Sequence, residues 1–167
     1  MNINNYINDG FSKVCDVIIH PNNEDQWYYE NVDESCVGPE HKSWLYFIVK
    51  DDNIIKCGET GNPLLLLSNP NKRIRGLELK SGSKSRLGRY MVGDQTDECI
   101  RQELCEDVKQ GKITIWAKKC KVTSSKVVVM GEESIVERSI HKDLEMVYLN
   151  HFITEYGQLP LLNKSIK

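Results

Sequence analysis

The chain has 167 residues, of which 40% are hydrophobic and 28% are charged, and its formal net charge is −2. This composition is typical of an ordinary globular domain and excludes collagen-like and low-complexity classes. The chain opens on no secretory leader, and it contains no apolar run of transmembrane length. We therefore expect one compact domain that is cytoplasmic and has no membrane partner.

Cysteine usage indicates a reducing compartment. None of the six cysteines forms a Cys-x-x-Cys pair, and zinc ribbons and thioredoxin-like motifs require such pairs. We expect reduced thiols that pack as small apolar side chains. The cysteines are Cys15, Cys36, Cys57, Cys99, Cys105 and Cys120.

The small net charge conceals one acidic and two basic stretches. The segment between Lys13 and Lys42 holds seven acidic residues and no lysine or arginine. Residues 72–89 hold seven basic residues against one acid, and residues 112–126 hold five lysines and no acid. Basic clusters of this kind bind phosphates and release counterions, although a solvated charged surface has the same pattern.

The first half of the chain predicts a polar arm followed by a β-hairpin. Residues 1–42 are acidic and rich in asparagine, and we expect an irregular arm with a short helix or strand. Residues 43–58 contain an aromatic and β-branched run, a turn signal at 51–53 and a second apolar run, which predict a hairpin. Residues 59–85 have the composition of a loop, and a loop of this length in a small domain is usually functional.

The second half predicts helices and strands in alternation. Residues 97–110 form a predicted helix that ends at Gly111. Residues 112–120 alternate as a strand, and 127–130 form a second short strand. Residues 139–156 have helical spacing, and Gly157 ends that helix. The predicted fold class is α/β (α+β): a small antiparallel sheet flanked by helices, with an irregular N-terminal arm.

A dispersed set of residues resembles the signature of the GIY-YIG nuclease superfamily. Leu45-Tyr46 and Lys56-Cys57-Gly58 resemble its two triplets, although the first lacks its glycine and Lys56 replaces the usual tyrosine. The segment 86–90 resembles the arginine helix of the family. Glu145 stands in the late helix, where the family keeps its metal-binding glutamate. Residues 159–163 resemble the segment that supplies the family's asparagine.

The likeness is greatest to the small type II restriction endonucleases of that superfamily. It covers roughly residues 44–163, so we divide the chain into an arm (1–42) and a GIY-YIG-like nuclease domain (43–167) with an insertion at 59–85. It implies hydrolysis of DNA phosphodiester bonds. The implied catalytic residues are Tyr46, Lys56, Arg86, Tyr90, Glu145 and Asn163.

The resemblance also implies a role for each of these residues. Glu145 would bind one Mg²⁺ (or Mn²⁺) per active site, since such an ion keeps several waters and takes phosphate oxygens as further ligands. Arg86 would bind the scissile phosphate through its planar guanidinium. Tyr46 would position or deprotonate the attacking water; its free pKa is about 10, and a cation at Lys56 would favour the phenolate.

The remaining members of the set would support the site. Lys56 has the alternative role of contacting phosphate directly. Tyr90 would hydrogen-bond the phosphate or the water, and Asn163 would anchor the site from the tail. None of the four histidines has a convincing partner by spacing. His141 and Glu145 share a helix face, which leaves a shared metal site as a minor alternative.

The implied partner is double-stranded DNA, and cutting both strands at one site favours a homodimer. The alternatives are a phage or repair-type nicking endonuclease of the same fold and a catalytically silent DNA-binding module. The expected contacts to the DNA backbone are Lys72, Arg73, Arg75, Lys80, Lys84 and Arg89.

Overall fold

A computed structural model describes residues 1–20, 23–33, 43–60 and 98–163. In this part of the chain, five strands form an antiparallel sheet in the order β2-β1-β5-β3-β4. They are β1 (Ser12–His20), β2 (Asn23–Glu30), β3 (Trp44–Lys50), β4 (Asn53–Thr60) and β5 (Ile113–Lys119).

Two helices, a 3-10 helix and a separate two-stranded hairpin complete the described structure. The 3-10 helix opens the chain, and α1 leads into β5. The hairpin joins β5 to α2. The bounds are Ile3–Asp9 for the 3-10 helix, Glu98–Lys109 for α1, Val122–Val129 for β6, Glu132–Ser139 for β7 and His141–Tyr156 for α2. None of the described helices has the length and apolarity needed to cross a membrane.

The predicted antiparallel sheet flanked by helices is confirmed. The first predicted hairpin is β3–β4, and its turn residues Asp51 and Asp52 have φ values of 44° and 64°. Both values lie in the left-handed region, which favours aspartate, asparagine and glycine in tight hairpin turns. The helix ending at Gly157 is also present, and this glycine caps α2 with φ 71°.

The N-terminal segment contains more regular structure than an irregular arm. Asn2 accepts a hydrogen bond from the backbone of Asn4 at the start of the 3-10 helix. Strand β1 then pairs with β5, and β2 pairs with β1. Apolar side chains such as Val14 and Val17 are buried in the core, which gives β1 a reason to join the sheet. The first residues therefore share one sheet with the predicted nuclease domain.

The sheet is covered on both faces, so β3 is buried along almost its whole length. One face, which we call the α1 face, carries alternate residues of β3 packed with Leu104 and Val108 of α1. The opposite face, which we call the α2 face, packs against α2 and the 3-10 helix. The β3 residues of the α1 face are Trp44, Tyr46 and Ile48; those of the α2 face are Leu45, Phe47 and Val49.

The second hairpin is longer than the predicted short strand at 127–130. Strand β7 has the sequence EESIVERS and was not predicted, because it is mostly polar and lacks the alternation of a half-buried strand. Both of its strands are exposed at almost every position.

Candidate active site at the edge strand

Tyr46 and Gly58 lie opposite each other on β3 and β4, on the α1 face. The tyrosine side chain is fully buried and lies directly over the glycine. A Cβ atom built on Gly58 would lie 2.4 Å from both Cζ and Oη of Tyr46. Ordinary carbon contacts begin near 3.4 Å, so only glycine at this position leaves room for the phenol ring. The two triplets that carried the resemblance are therefore in direct contact.

Lys56 lies on the same face of the sheet, two residues before Gly58. It pairs with Ile48, whose side chain belongs to the core of the α1 face. Its side chain is 9% exposed, and Nζ donates a hydrogen bond to the carbonyl of Leu162 at 3.2 Å. Tyr46 and Lys56 are thus diagonal neighbours across the hairpin, a spacing that long side chains can bridge.

The tail after α2 runs along the outer edge of β4, which is the last of the described strands on its side of the sheet. The Leu162 amide donates to the carbonyl of Ile55 at 2.8 Å. The side-chain amide of Asn163 bonds the backbone of Cys57 twice: Oδ1 accepts from the amide nitrogen and Nδ2 donates to the carbonyl, both at 2.8 Å. Asn163 therefore satisfies two backbone groups at the edge of β4.

Glu145 lies on α2, the helix that contacts β4. Its side chain is half-buried. Burial raises the pKa of the Cys57 thiol well above its ordinary value; the negative charge of Glu145 raises this pKa further, and the positive charge of Lys56 lowers it. Both charges therefore lie close enough to Cys57 to shift the pKa of its thiol.

The first residue of α2 is held in a polar cluster that spacing along the chain does not reveal. His141 Nε2 lies 3.0 Å from Glu59 Oε2, and Nδ1 lies 3.1 Å from Ser43 Oγ. The Ser139 hydroxyl contacts both Ser43 and the same ring nitrogen. The cluster ties the ends of β3, β4 and β7 to the start of α2, one helical turn before Glu145.

The donor set fits a single hard cation better than a multi-ligand metal centre. Within the described ranges, no three His, Cys, Asp or Glu side chains are grouped to hold a metal ion. Burial raises the pKa of the Cys57 thiol, which disfavours the thiolate form that binds metals. Both ring nitrogens of His141 already have partners, which disfavours the alternative of a metal shared with Glu145. The Glu145 carboxylate is the donor that suits Mg²⁺.

Several predicted site residues lie outside the described residues. They include the arginine and tyrosine of the predicted arginine helix and most of the 59–85 insertion, together with the basic cluster expected to bind DNA. The residues concerned are Arg86 and Tyr90, and Lys72, Arg73, Arg75, Lys80, Lys84 and Arg89. The structure brings Tyr46, Lys56, Glu145 and Asn163 to β4 and its immediate neighbours.

Comparison with known proteins adds evidence on the fold. No family model matches the chain, and no curated protein sequence matches it. A variant of bacteriophage T4 EndoII has a TM-score of 0.55 at 16% identity, with 98% of each chain covered. The chain shares its fold with EndoII. The restriction endonuclease HPY188I in complex with product DNA has a TM-score of 0.47 at 15% identity, covering 99% of this chain and 87% of that one.

Proposed function

We propose that this protein is a metal-dependent DNA endonuclease, and specifically a type II restriction enzyme of the GIY-YIG superfamily that cuts duplex DNA at a specific site. The observation that carries the proposal is the contact of Tyr46 with Gly58 on β4. Lys56 lies on the same face of the sheet. The charge of Glu145 raises the pKa of the neighbouring Cys57 thiol. The fold shared with EndoII over 98% of both chains supports it.

Tyr46 and Lys56 would act together on the attacking water. A neutral phenol is a poor base, and a nearby ammonium group favours its ionised form. The Leu162 carbonyl holds Lys56 Nζ on the face that carries Tyr46. Because the Tyr46 side chain is fully buried, the groups that cover its hydroxyl have to open when DNA binds.

Glu145 would hold the metal ion, Mg²⁺ or Mn²⁺, through one carboxylate. The bound ion supplies charge neutralisation at the phosphate and a water of lowered pKa. Glu145 approaches β4 from α2, and its orientation depends on the first turn of that helix. His141 fixes this turn to Glu59 and Ser43.

The tail keeps β4 in place while these groups act. Asn163 and Leu162 bond the outer edge of β4 at Cys57 and Ile55, on either side of Lys56. Reacting groups must be held to within a fraction of an ångström, so an edge strand that carries them benefits from such fixed bonds.

The remaining roles are proposed on the sequence. Arg86 would bind the scissile phosphate, and Tyr90 would bond that phosphate or the water. The basic residues of the 59–85 insertion and Arg89 would contact the DNA backbone. Two copies of the chain would cut the two strands, and the enzyme would act in the cytoplasm.

Plasmid cleavage in Mg²⁺ tests the proposal. We expect discrete bands from the wild type that disappear with EDTA, and a loss of at least roughly a hundredfold in rate for Glu145→Ala, because the metal ligand stabilises charge in the transition state. Glu155→Ala removes an exposed glutamate from the same helix and should cleave like the wild type. Arg86→Ala is expected to be as inactive as Glu145→Ala.

Two other outcomes point to the alternatives. Scattered nicks without a fixed site would keep the endonuclease but indicate a phage or repair role. Well-folded protein that cleaves none of several DNAs, unmethylated ones included, would contradict the proposal and favour a silent DNA-binding module.

A further inference from the structure

The second basic stretch of the sequence, residues 112–126, is divided by the fold among different parts of the molecule. Three of its five lysines contact an acid or a tyrosine within the described residues. These pairs are Lys112 with Asp51 at 3.9 Å, Lys118 with Tyr148 at 3.3 Å, and Lys126 with Glu133 at 3.0 Å. A lysine in such a pair has to give up that contact when it binds a phosphate, so these three are poor candidates for binding DNA.

Lys119 lies on the α1 face of the sheet, one row of side chains beyond Tyr46. In the strand register, Ala117 of β5 is opposite Tyr46, and Lys119 is opposite Trp44. Trp44, Tyr46 and Ala117 all belong to the core of the α1 face, so Lys119 lies on that same face. Diagonal neighbours of this kind are roughly 7–8 Å apart. Trp44 and Ala117 are buried, whereas Lys119 is exposed.

Ser12 adds a neutral hydroxyl group to the row of side chains that contains Tyr46. It is opposite Ala117 from β1, while Tyr46 is opposite Ala117 from β3. Its side chain is exposed. The ammonium group of Lys119 and the hydroxyl group of Ser12 therefore flank the short side chain of Ala117, on the side of Tyr46 that faces away from β4.

The charges on this face favour a DNA path towards Lys119. The charged side chains that the structure describes on the α1 face of the sheet are all lysines: Lys50, Lys56 and Lys119. Lys50 is bonded to Asp107 at 2.8 Å, and Asp51 and Asp52 follow it in the turn. The outer edge of β4 is occupied by the tail. A DNA strand that passes Tyr46 thus meets acids at one end of the sheet and Lys119 at the other.

We propose that Lys119, together with the Ser12 hydroxyl, binds a backbone phosphate of the DNA next to the phosphate at Tyr46. A DNA strand carries a phosphate roughly every 3.4 Å along the helix axis, so a neighbouring phosphate comes within reach of a lysine one row away. Such contacts fix the register of a protein on the DNA backbone and read no sequence. The inference rests on the proposed function, which supplies DNA as the partner.

Binding of a fluorescent DNA duplex in EDTA, measured by anisotropy at several KCl concentrations, tests this contact without cleavage. Each phosphate contact adds about 0.9 to the slope of the logarithm of the binding constant against that of the salt concentration. We expect Lys119→Ala to reduce this slope by about 0.9 and to weaken binding roughly tenfold at about 0.1 M KCl. Lys119→Arg keeps the charge and should keep the slope. Ser12→Ala should weaken binding severalfold at an unchanged slope, because a hydroxyl group carries no charge.

Lys112→Ala is the matched control, because it removes the same charge from the same basic stretch at the opposite end of β5. Its slope should equal that of the wild type. Circular dichroism checks the folding of the variants, and Lys119→Gln is a second variant without the charge. An unchanged slope in the folded Lys119 variants would overturn the proposal. An equal reduction in Lys112→Ala would also overturn it, since net charge alone would then explain the effect.

Neutral methylphosphonate linkages, placed one at a time around the mapped cleavage site, locate the phosphate that Lys119 binds. At that position, the linkage should weaken binding by the wild type roughly tenfold and should weaken binding by Lys119→Ala no further. A matching position distant from the cut would overturn the proposed placement. If the wild type cleaves DNA and only the Lys119 effect is missing, the inference fails and the proposed nuclease stands. A well-folded wild type that binds no DNA would contradict both.

Discussion

Replacing Gly58 with alanine tests the contact on which the candidate site is built. The new Cβ would lie 2.4 Å from Tyr46 Cζ and Oη and 2.8 Å from Cε1, so the ring has to withdraw by about 1 Å to reach ordinary contact. The ring is fully buried on an interior strand, where neighbouring side chains resist that movement. Overpacking of this kind costs about 1–3 kcal/mol, and we expect Gly58→Ala to lower the free energy of unfolding by that amount.

Urea unfolding of a double-mutant cycle isolates the steric cause. Tyr46→Leu removes the three contacting atoms, so Gly58→Ala in that background should cost close to nothing. Tyr46→Phe keeps Cζ and Cε1 and should leave most of the cost in place. Gly131→Ala is the control, because this glycine has φ 86° and no atom within 4 Å of the built Cβ. Its cost comes from the backbone and should not change with Tyr46→Leu.

The reasoning would be refuted by either of two results. Gly58→Ala could leave the free energy of unfolding within about 0.5 kcal/mol of the wild type, the range of additivity error. Alternatively, its cost could be the same with tyrosine and with leucine at position 46. The cleavage rate of Gly58→Ala is a second measurement, and we expect it to fall because the phenol is displaced.

Two further predictions concern the same edge of the sheet. Asn163→Ala should lower the free energy of unfolding, measured in urea, by about 1–3 kcal/mol, because two backbone groups of Cys57 lose their partner. Asn150→Ala, at an exposed asparagine, is the control. Equal losses in the two variants would contradict the role given to the two Asn163 hydrogen bonds. The pKa of the Cys57 thiol is raised by folding, so the folded state keeps a proton that the unfolded state releases. The free energy of unfolding should therefore decline as pH rises above the ordinary thiol pKa of about 8.5. Cys57→Ala should make this decline shallower. A pH dependence that is unchanged in Cys57→Ala would contradict the prediction.

Local patterns in the sequence predicted the elements that carry the candidate site. The β3–β4 hairpin follows from the apolar run 44–49 and from Asp51 and Asp52, which adopt the left-handed conformation that a tight turn requires. The end of α2 follows from Gly157, whose positive φ an L side chain rarely adopts. These predictions succeeded because each depends on a few consecutive residues.

The polar partners of the site were not predictable in the same way. Glu59 and Ser43 are far from His141 in the chain, and no spacing rule relates them. The Asn163 amide was expected to anchor the site, but its two bonds to the Cys57 backbone became evident only when the tail was found along the edge of β4. Strand β1 was missed as a neighbour of β5 for a similar reason, since strand pairing is not encoded in either strand alone.

By itself, the sequence determined the hairpin, the late helix and the order in which Tyr46, Lys56, Glu145 and Asn163 occur, because local propensity and turn chemistry act over a few residues. The tertiary structure alone decided that Gly58 receives the Tyr46 ring, that the charges of Glu145 and Lys56 shift the pKa of one thiol, and that Val128 and Ile135 of the β6–β7 hairpin are exposed. These features depend on which strands pair and which faces are covered. Burial and hydrogen bonding between distant segments set that outcome for the whole chain at once.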